Sequence, residues 1–224
     1  MREKEKTAVL FGRFREDQLA RLRRLATPRK VQDLLDYDIA YNGSKPSTCL
    51  SVSEVLDQRR AHCIEGAMLA AAALFLQGRP PLLLDLRANP RDDDHVIAPF
   101  TVNGLWGAVA KSNFCGLRYR EPVYRSFGEL ARSYFEFYYN DTGEKTLREF
   151  SIPFDASRLK PDWLFSKKNV FYVGRKLDAL KHYPIVPFTY QRRLRRADSL
   201  LRQAEILGCS GAPLKKQTPR PYKK

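Results

Sequence analysis

Cys63 lies where the sequence favours an activated thiol. The residues from Ile64 to Ala73 are almost all apolar and have high helix propensity, so they predict a helix that is buried on every side and has Cys63 at its first turn. Unpaired N–H groups and the positive end of the helix dipole favour a thiolate at that turn. The alternative is that Cys63 is one more small buried residue, as free cysteines often are.

His95 is the residue that we expect to serve as the base. Of the three histidines, His62, His95 and His182, it is the one at the start of a predicted strand, where a cysteine on a helix could meet it. A Cys–His pair forms a thiolate–imidazolium nucleophile, and the backbone N–H of Cys63 could donate to an oxyanion. The alternative is that His95 is a surface histidine beside the three aspartates that precede it.

A hairpin signal indicates what lies opposite His95. Asn103-Gly104 predicts a two-residue type I′ turn between a strand over 95–102 and a returning strand over 105–112. Counting cross-strand pairs from this turn places Ser112 directly across from His95. The Ser112 hydroxyl could then accept a hydrogen bond from the imidazole.

Pro99 leaves the orienting residue open between two candidates. A proline inside a strand predicts an edge position or a bulge, and a bulge would bring Asn113 opposite His95 instead of Ser112. We favour Asn113, because the proline makes an irregular register the expectation and an amide reaches further than a hydroxyl. Neither residue is a carboxylate, so we expect a less stabilised imidazolium and a less depressed Cys63 pKa.

The rest of the chain supplies the elements that position these residues. Apolar spacing, caps and turn formers predict a further strand over 82–86 and helices over 16–25, 28–37, a short segment ending at 56, 126–139, about 169–180 and 190–207. This pattern predicts an α+β fold in which the buried cysteine helix packs on a small antiparallel sheet, with additional helices. We expect a single domain over 1–208, with its core at about 51–113, and a disordered basic tail over 209–224.

The composition is that of an ordinary globular protein. Of 224 residues, 43% are hydrophobic and 29% are charged. The longest apolar run is too short to cross a bilayer and the first residues contain no secretory signal, so we expect a cytoplasmic protein without membrane insertion. The four cysteines form no CxxC pair and are expected to be reduced, and no cofactor is indicated.

The formal net charge of +15 widens the range of partners. It allows attraction to nucleic acid, to an anionic membrane surface or to an acidic protein, and it identifies none of them. Much of the excess lies in the arginines of 192–196 and in the last ten residues, away from the cysteine helix. A solvated basic face is the commoner explanation, so nucleic-acid binding is an alternative that we do not favour.

A metal site is a third interpretation of the region around Cys63. Asp94, His95, His62 and Glu65 carry carboxylate and imidazole ligands that could converge there. Their spacing matches no metal-binding motif, so we expect no metal.

The order of these elements resembles the transglutaminase-like superfamily, a branch of the papain-like thiol fold. The resemblance covers about Ser51 to Asn113 and is carried by Ser53-Glu54-Val55-Leu56, Arg59-Arg60-Ala61-His62-Cys63, the small-residue helix, Gly78-Arg79-Pro80, and His95 and Trp106 in the hairpin. Members usually have a glycine near the position of Ala61 or His62. They also have an aspartate shortly after the tryptophan, where this chain has Ala110-Lys111-Ser112-Asn113.

The resemblance implies a cysteine hydrolase or acyltransferase that acts on an amide, peptide or thioester. Cys63 would be its nucleophile and His95 its base, and Asn113 or Ser112 would take the place of the aspartate. Asparagine orients the imidazole in papain-like enzymes. The alternative is a non-catalytic scaffold of the same fold that binds nucleic acid or an acidic partner through its basic surface.

Overall fold

The computed structural model describes residues 9–206 and Cys209, and this part of the chain is a mixed α+β fold. Its helices include α1 (Glu16–Arg24), α2 (Pro28–Tyr37), α3 (Val52–Gln58), α4 (Cys63–Leu76), α5 (Phe127–Arg132), α6 (Asp162–Phe165), α7 (Tyr172–Asp178) and α8 (Ser199–Glu205). Its strands include β1 (Ala40–Tyr41), β2 (Arg60–Ala61), β3 (Leu82–Ala88), β4 (His95–Val102), β5 (Leu105–Val109), β6 (Arg120–Tyr124), β7 (Leu147–Ser151), β8 (Phe154–Asp155) and β9 (His182–Pro184). Among the described residues, no helix is both long and apolar enough to span a membrane.

Seven of the strands form one antiparallel sheet. Its order is β6-β5-β4-β3-β7-β9, and β8 pairs with the first residues of β3. The two remaining strands, β1 and β2, form a separate parallel pair, and β2 lies just before α4 in the chain. The sheet is small and antiparallel, as predicted, and β4, which begins with His95, lies between β3 and β5.

The cysteine helix α4 fills the centre of the core, as its apolar sequence predicts. Every residue from Ile64 to Leu74 is buried, including Glu65. The helix packs against β3 and β4 on one side and against α1, α2, α3 and α6 on the others. A helix with no polar face must be enclosed in this way, because any exposed side would leave apolar surface in water. Cys63 at its first residue is half-buried and reaches the surface of the core, as do Phe75 and Leu76 at the other end of the helix.

Helix boundaries follow the caps that the sequence contains. The Thr27 hydroxyl accepts from the Lys30 N–H at 3.2 Å before α2, and the Ser51 hydroxyl accepts from the Glu54 N–H at 3.3 Å before α3. These bonds satisfy N–H groups that have no carbonyl partner within the helix. Beyond α4, Gly78 has a φ of +78°, which ends the helix at the predicted place.

The predicted hairpin is confirmed, but the predicted bulge is wrong. The turn residues Asn103 and Gly104 both have positive φ, and the pairing runs without a shift from Val102 and Leu105 past Pro99. In this register the nitrogen of Pro99 points away from β5, towards β3. Pairing of β4 with β3 stops at Ile97, so the missing N–H of the proline leaves no ladder bond unmade.

Several predicted elements are shorter than expected. The strand β5 ends at Val109 rather than at 112, and the helix predicted over 126–139 consists of α5 followed by a 3-10 turn over Phe135–Phe137. The basic helix predicted over 190–207 is also wrong. Its first residues belong to a 3-10 segment, Phe188–Arg193, and α8 starts only where the Asp198 carboxylate accepts from the Leu201 N–H at 2.9 Å. Apart from Cys209, the predicted tail over 209–224 lies outside the described residues.

Candidate active site

The start of α4 and the start of β4 meet at one cavity. The helix begins with Cys63 and the strand begins with His95, and both side chains line a cavity of about 510 Å³. The sulfur of Cys63 lies 3.8 Å from the carbonyl oxygen of Asp94, the residue just before the strand. The structure therefore brings the predicted nucleophile and the predicted base to the same opening.

A second histidine faces the same sulfur. The Nδ1 atom of His62 lies 3.9 Å from Cys63 Sγ. The other ring nitrogen of His62 lies 2.7 Å from the carbonyl oxygen of Thr48. A carbonyl can only accept, so this nitrogen carries the proton, and Nδ1 is the one left to interact with the thiol.

His95 is held in the same manner. Its Nε2 donates to the carbonyl oxygen of Leu117 at 2.9 Å, which leaves Nδ1 for Cys63. The ring is 5% exposed and makes edge contacts with Tyr134 and Tyr138, at centroid distances of 6.1 and 6.4 Å. Packing and one backbone bond therefore fix its rotamer and its tautomer.

The two imidazoles activate the thiol. Burial would raise the pKa of Cys63, but hydrogen bonds from His62 and His95 and the charges of both rings outweigh burial and lower this pKa to about 5. Burial would lower the pKa of His62, but the hydrogen bond and charge of the Cys63 thiolate raise it to about 9. Between these two values, Cys63 and His62 form a thiolate–imidazolium pair. The second imidazole compensates for the carboxylate whose absence led us to expect a less depressed pKa.

Neither predicted orienting residue holds His95. The Ser112 hydroxyl lies in the cavity wall but accepts from the Phe114 N–H at 3.0 Å. Asn113 is not among the residues that line the cavity, and its backbone oxygen accepts from Arg118 and Cys209. The regular register past Pro99 removes the reason for which we favoured Asn113. The hydrogen bond to the His95 ring is made instead by the backbone carbonyl of Leu117, which no side-chain pattern could have indicated.

Glu65 organises the entrance to the helix. Its fully buried carboxylate accepts from Asn42 Nδ2 at 2.9 Å, Thr48 Oγ1 at 2.6 Å, Leu50 N–H at 2.8 Å and His62 N–H at 2.9 Å. Three of these four donors belong to the loop before α3, and one of them is the residue whose carbonyl anchors His62. Glu65 therefore ties that loop to the first turn of α4 and positions the ring beside the sulfur.

The first turn of α4 can also stabilise a developing negative charge. The backbone N–H groups of Cys63 and Ile64 have no carbonyl partner within the helix, and both residues line the cavity. Such donors, together with the dipole of a 14-residue helix, suit the oxyanion of a tetrahedral intermediate.

The geometry around Cys63 does not support a metal site made of the four residues that we considered as ligands. Glu65 is taken up by its four donors, and the ligand atoms of Asp94, His95, His62 and Glu65 do not form a compact group. Among the described residues, the group that is compact enough consists of Asp85, Asp94 and Asp178, whose carboxylate oxygens lie within 4.8 Å of one another. We assign no metal to this group.

His62 is the site residue that the sequence analysis missed. We set it aside because it does not begin a strand, although a residue just before a helix-start cysteine is always close to the sulfur. The Glu65 carboxylate accepts from the His62 N–H three residues before it, but histidine is not a usual helix-capping residue, so no capping pattern marked this position.

Comparison with known proteins leaves the family open. No family model matches this chain, and no curated protein matches it. The class of protein must therefore be argued from the geometry of the site.

Proposed function

We propose that the protein is a transglutaminase-like cysteine hydrolase or acyltransferase that acts on an amide, peptide or thioester. The observation that carries this proposal is a half-buried helix-start thiol whose pKa is lowered to about 5 by two imidazoles, His62 and His95. The Nε2 atoms of both histidines are bound to backbone carbonyls, which leaves the Nδ1 atom of each ring for the thiol. A cysteine that only fills space in a core needs no such partners. The order of a buried cysteine helix followed by an antiparallel hairpin supports a papain-like arrangement.

The chemistry has two halves. The Cys63 thiolate attacks the carbonyl carbon of the substrate, a C–S bond forms, and the oxyanion lies near the free N–H groups of the first turn of α4. An imidazolium gives its proton to the leaving group, the bond to that group breaks, and a thioester remains on Cys63. Water or an amine then attacks the thioester while the imidazole that gave up its proton takes one from the attacking group, and the C–S bond breaks to restore the thiolate–imidazolium pair.

The four cysteines allow a direct test of the activated thiol. Burial raises the pKa of Cys49 to about 12, and it also raises the pKa values of Cys115 and Cys209. We therefore expect iodoacetamide at pH 6 to alkylate Cys63 first, although Cys115 is the more exposed side chain. Peptide mapping by mass spectrometry measures the order of labelling. Preferential labelling of Cys115 or Cys209 would contradict the proposal.

A second candidate function has one specific observation in its favour. Phe188 and Tyr190 are 83% and 53% exposed and lie in the same 3-10 segment as the exposed Arg192 and Arg193. Exposed aromatic rings among arginines suit single-stranded nucleic acid, because bases stack on the rings while the cations contact phosphates. This surface is separate from the Cys63 cavity.

A fluorescently labelled single-stranded oligonucleotide tests this second candidate. We expect binding that weakens steeply with salt, and we expect Phe188→Ala together with Tyr190→Ala to reduce affinity by at least about thirtyfold, since each stacked base contributes about 1–3 kcal/mol. Phe171→Ala, which removes another exposed aromatic ring outside this segment, is the matched control. An absence of binding at low salt would exclude this function.

A further inference from the structure

The cavity around Cys63 has an acidic wall in a strongly basic protein. Five aspartates line it, Asp85, Asp92, Asp93, Asp94 and Asp178, whereas the whole chain has a net charge of +15. Its lysines are Lys45 and Lys111, and the Nζ atom of Lys111 donates to the carbonyl oxygens of Leu35 and Ile39 at 2.6 and 2.7 Å. The charge of this wall is therefore a local feature, opposite in sign to that of the protein as a whole.

The three carboxylates nearest one another outnumber the basic side chains beside them. Asp85, Asp94 and Asp178 bring their carboxylate oxygens within 4.8 Å of one another. His182 faces Asp85 at 2.9 Å. The charge of the nearby Arg87 favours the ionised forms of Asp85 and Asp94, but its guanidinium donates to the Glu149 carboxylate and to the backbone oxygen of Asp178.

One of these carboxylates also has a free oxygen. The side chain of Asp85 is 2% exposed, and its Oδ2 faces His182. Among the residues that the structure describes, none donates a hydrogen bond to its Oδ1, and Asp85 lines the cavity. A cationic group that enters the cavity could therefore donate a charge-assisted hydrogen bond to this oxygen.

The position of Asp94 relates this cation site to the thiol. The backbone oxygen of Asp94 lies 3.8 Å from Cys63 Sγ, and the next residue is His95. A group held by the Asp94 carboxylate is therefore within one side chain's reach of an acyl carbon bound at the sulfur.

We propose that the substrate of this site carries an ammonium or guanidinium group close to its reacting carbonyl, as a lysine or arginine residue does. This inference rests on the proposed thiol chemistry and adds the charge of the substrate to it. The acidic wall binds the cation and so places the neighbouring carbonyl against the thiolate. The basic surface of the rest of the protein repels cations, so the selectivity is confined to the cavity.

Two chloromethyl ketones that differ in one side chain test the proposal. The first carries lysine and the second norleucine, which has the same chain without the ammonium group. In both, the Cys63 thiolate displaces chloride from the methylene carbon, so alkylation can be followed by intact mass without knowledge of the natural substrate. With a chelator present, we expect the lysine reagent to label Cys63 at least about tenfold faster, which corresponds to about 1.4 kcal/mol.

Charge-neutral variants assign this preference to the acidic wall. Asp94→Asn keeps an oxygen that can accept from the Ala88 N–H, and Asp178→Asn alters an exposed side chain. We expect the double variant to bring the lysine preference to within about twofold of unity, while Asp33→Asn, an exposed aspartate outside the cavity, leaves it unchanged. Equal rates for both reagents in the wild-type protein would overturn the inference, as would a preference that survives in the double variant.

Iodoacetamide separates this failure from failure of the proposed function. This reagent is small and uncharged, so its rate measures the thiolate alone. Fast labelling of Cys63 by iodoacetamide with no lysine preference would leave the thiol chemistry standing and remove the cationic substrate. Slow labelling of Cys63 by all three reagents would remove both.

Discussion

Replacing His62 with glutamine is expected to raise the pH midpoint for alkylation of Cys63 above its wild-type value of about 5, and His95→Gln is expected to raise it as well. The hydrogen bond from His62 is the largest effect that lowers the thiol pKa, and the ring of His95 comes second. Glutamine removes the charge and keeps a polar side chain of similar size. We expect the double variant to titrate above the ordinary thiol value of about 8.5, because burial then raises the pKa with neither ring to oppose it.

The direction of the pH dependence follows from the two shifts. The Cys63 pKa is lowered, so its thiolate is present above about pH 5 and is lost as the pH falls through that value. The His62 pKa is raised, so its imidazolium is lost as the pH rises through about 9. Alkylation, which needs the thiolate alone, should rise through pH 5 and reach a plateau. Turnover, which also needs a proton for the leaving group, should fall again near pH 9.

The expected size of the effect on the rate is smaller than the change in ionisation. At pH 6 a thiol with a pKa near 5 is about nine-tenths ionised, and one near 8.5 is less than about 1% ionised. The thiolate of higher pKa is the better nucleophile, with a Brønsted slope of about 0.4–0.5, and this offsets much of the loss. For the double variant, whose pKa lies above about 8.5, we therefore expect alkylation at pH 6 to be at least about tenfold slower.

A matched control is available in the third histidine. His182→Gln makes the same substitution beside Asp85, where glutamine can still donate a hydrogen bond. We expect it to leave the Cys63 midpoint near 5 provided that circular dichroism shows a folded protein. If His62→Gln also leaves the midpoint near 5, His62 is a neighbour of the thiol without influence on it, and our account of the lowered pKa is wrong.

Local signals in the sequence were sufficient for the elements that carry the two predicted residues. Thr27-Pro28 marks the start of α2, and Asn103-Gly104 sets the register of the hairpin because few residues other than asparagine and glycine accept positive φ. The apolar run after Cys63 identified a helix that had to be central. Each of these signals acts within a few residues, so no knowledge of the remaining fold was needed.

Contacts between segments that are distant in the chain could not be predicted from the sequence. Pro99 sits in a regular strand because the pairing of β4 with β3 stops at Ile97, and no local pattern reports where a neighbouring strand stops. The partner of His95 is a carbonyl of Leu117, and every residue has a carbonyl. For the same reason, the anchoring of His62 by the carbonyl of Thr48 could not be predicted.

Glu65 is the residue whose replacement should affect the fold most. Glu65→Leu keeps the volume of the side chain but leaves three donors without an acceptor, Thr48 Oγ1, Leu50 N–H and His62 N–H, and removes one of the two acceptors of Asn42 Nδ2. Each stranded buried donor costs about 1–3 kcal/mol unless the loop opens to water. We therefore expect the free energy of unfolding in urea to fall by about 3–5 kcal/mol.

Glu65→Gln should be milder but still costly, because its amide keeps one acceptor oxygen and places an NH₂ group against two donors. The matched controls are Glu16→Leu and Glu16→Gln, at an exposed glutamate in the first turn of α1, for which we expect changes within about 0.5 kcal/mol. A loss below about 1 kcal/mol for Glu65→Leu would contradict the central place that we give to this carboxylate.

The glutamine variant also separates support of the fold from support of the site. Glu65 holds the loop whose Thr48 carbonyl anchors His62, so a loosened loop should let the ring of His62 turn away from the sulfur. We therefore expect Glu65→Gln to raise the pH midpoint of Cys63 alkylation towards that of His62→Gln. The measurement is made without urea and at a temperature at which the variant is fully folded. If the variant is less stable but keeps the midpoint near 5, Glu65 supports the fold alone and His62 is held by its carbonyl bond and packing. If both quantities change together, the lowered thiol pKa depends on a chain of contacts that starts at a buried carboxylate, passes through the Thr48 carbonyl and ends at the imidazole of His62.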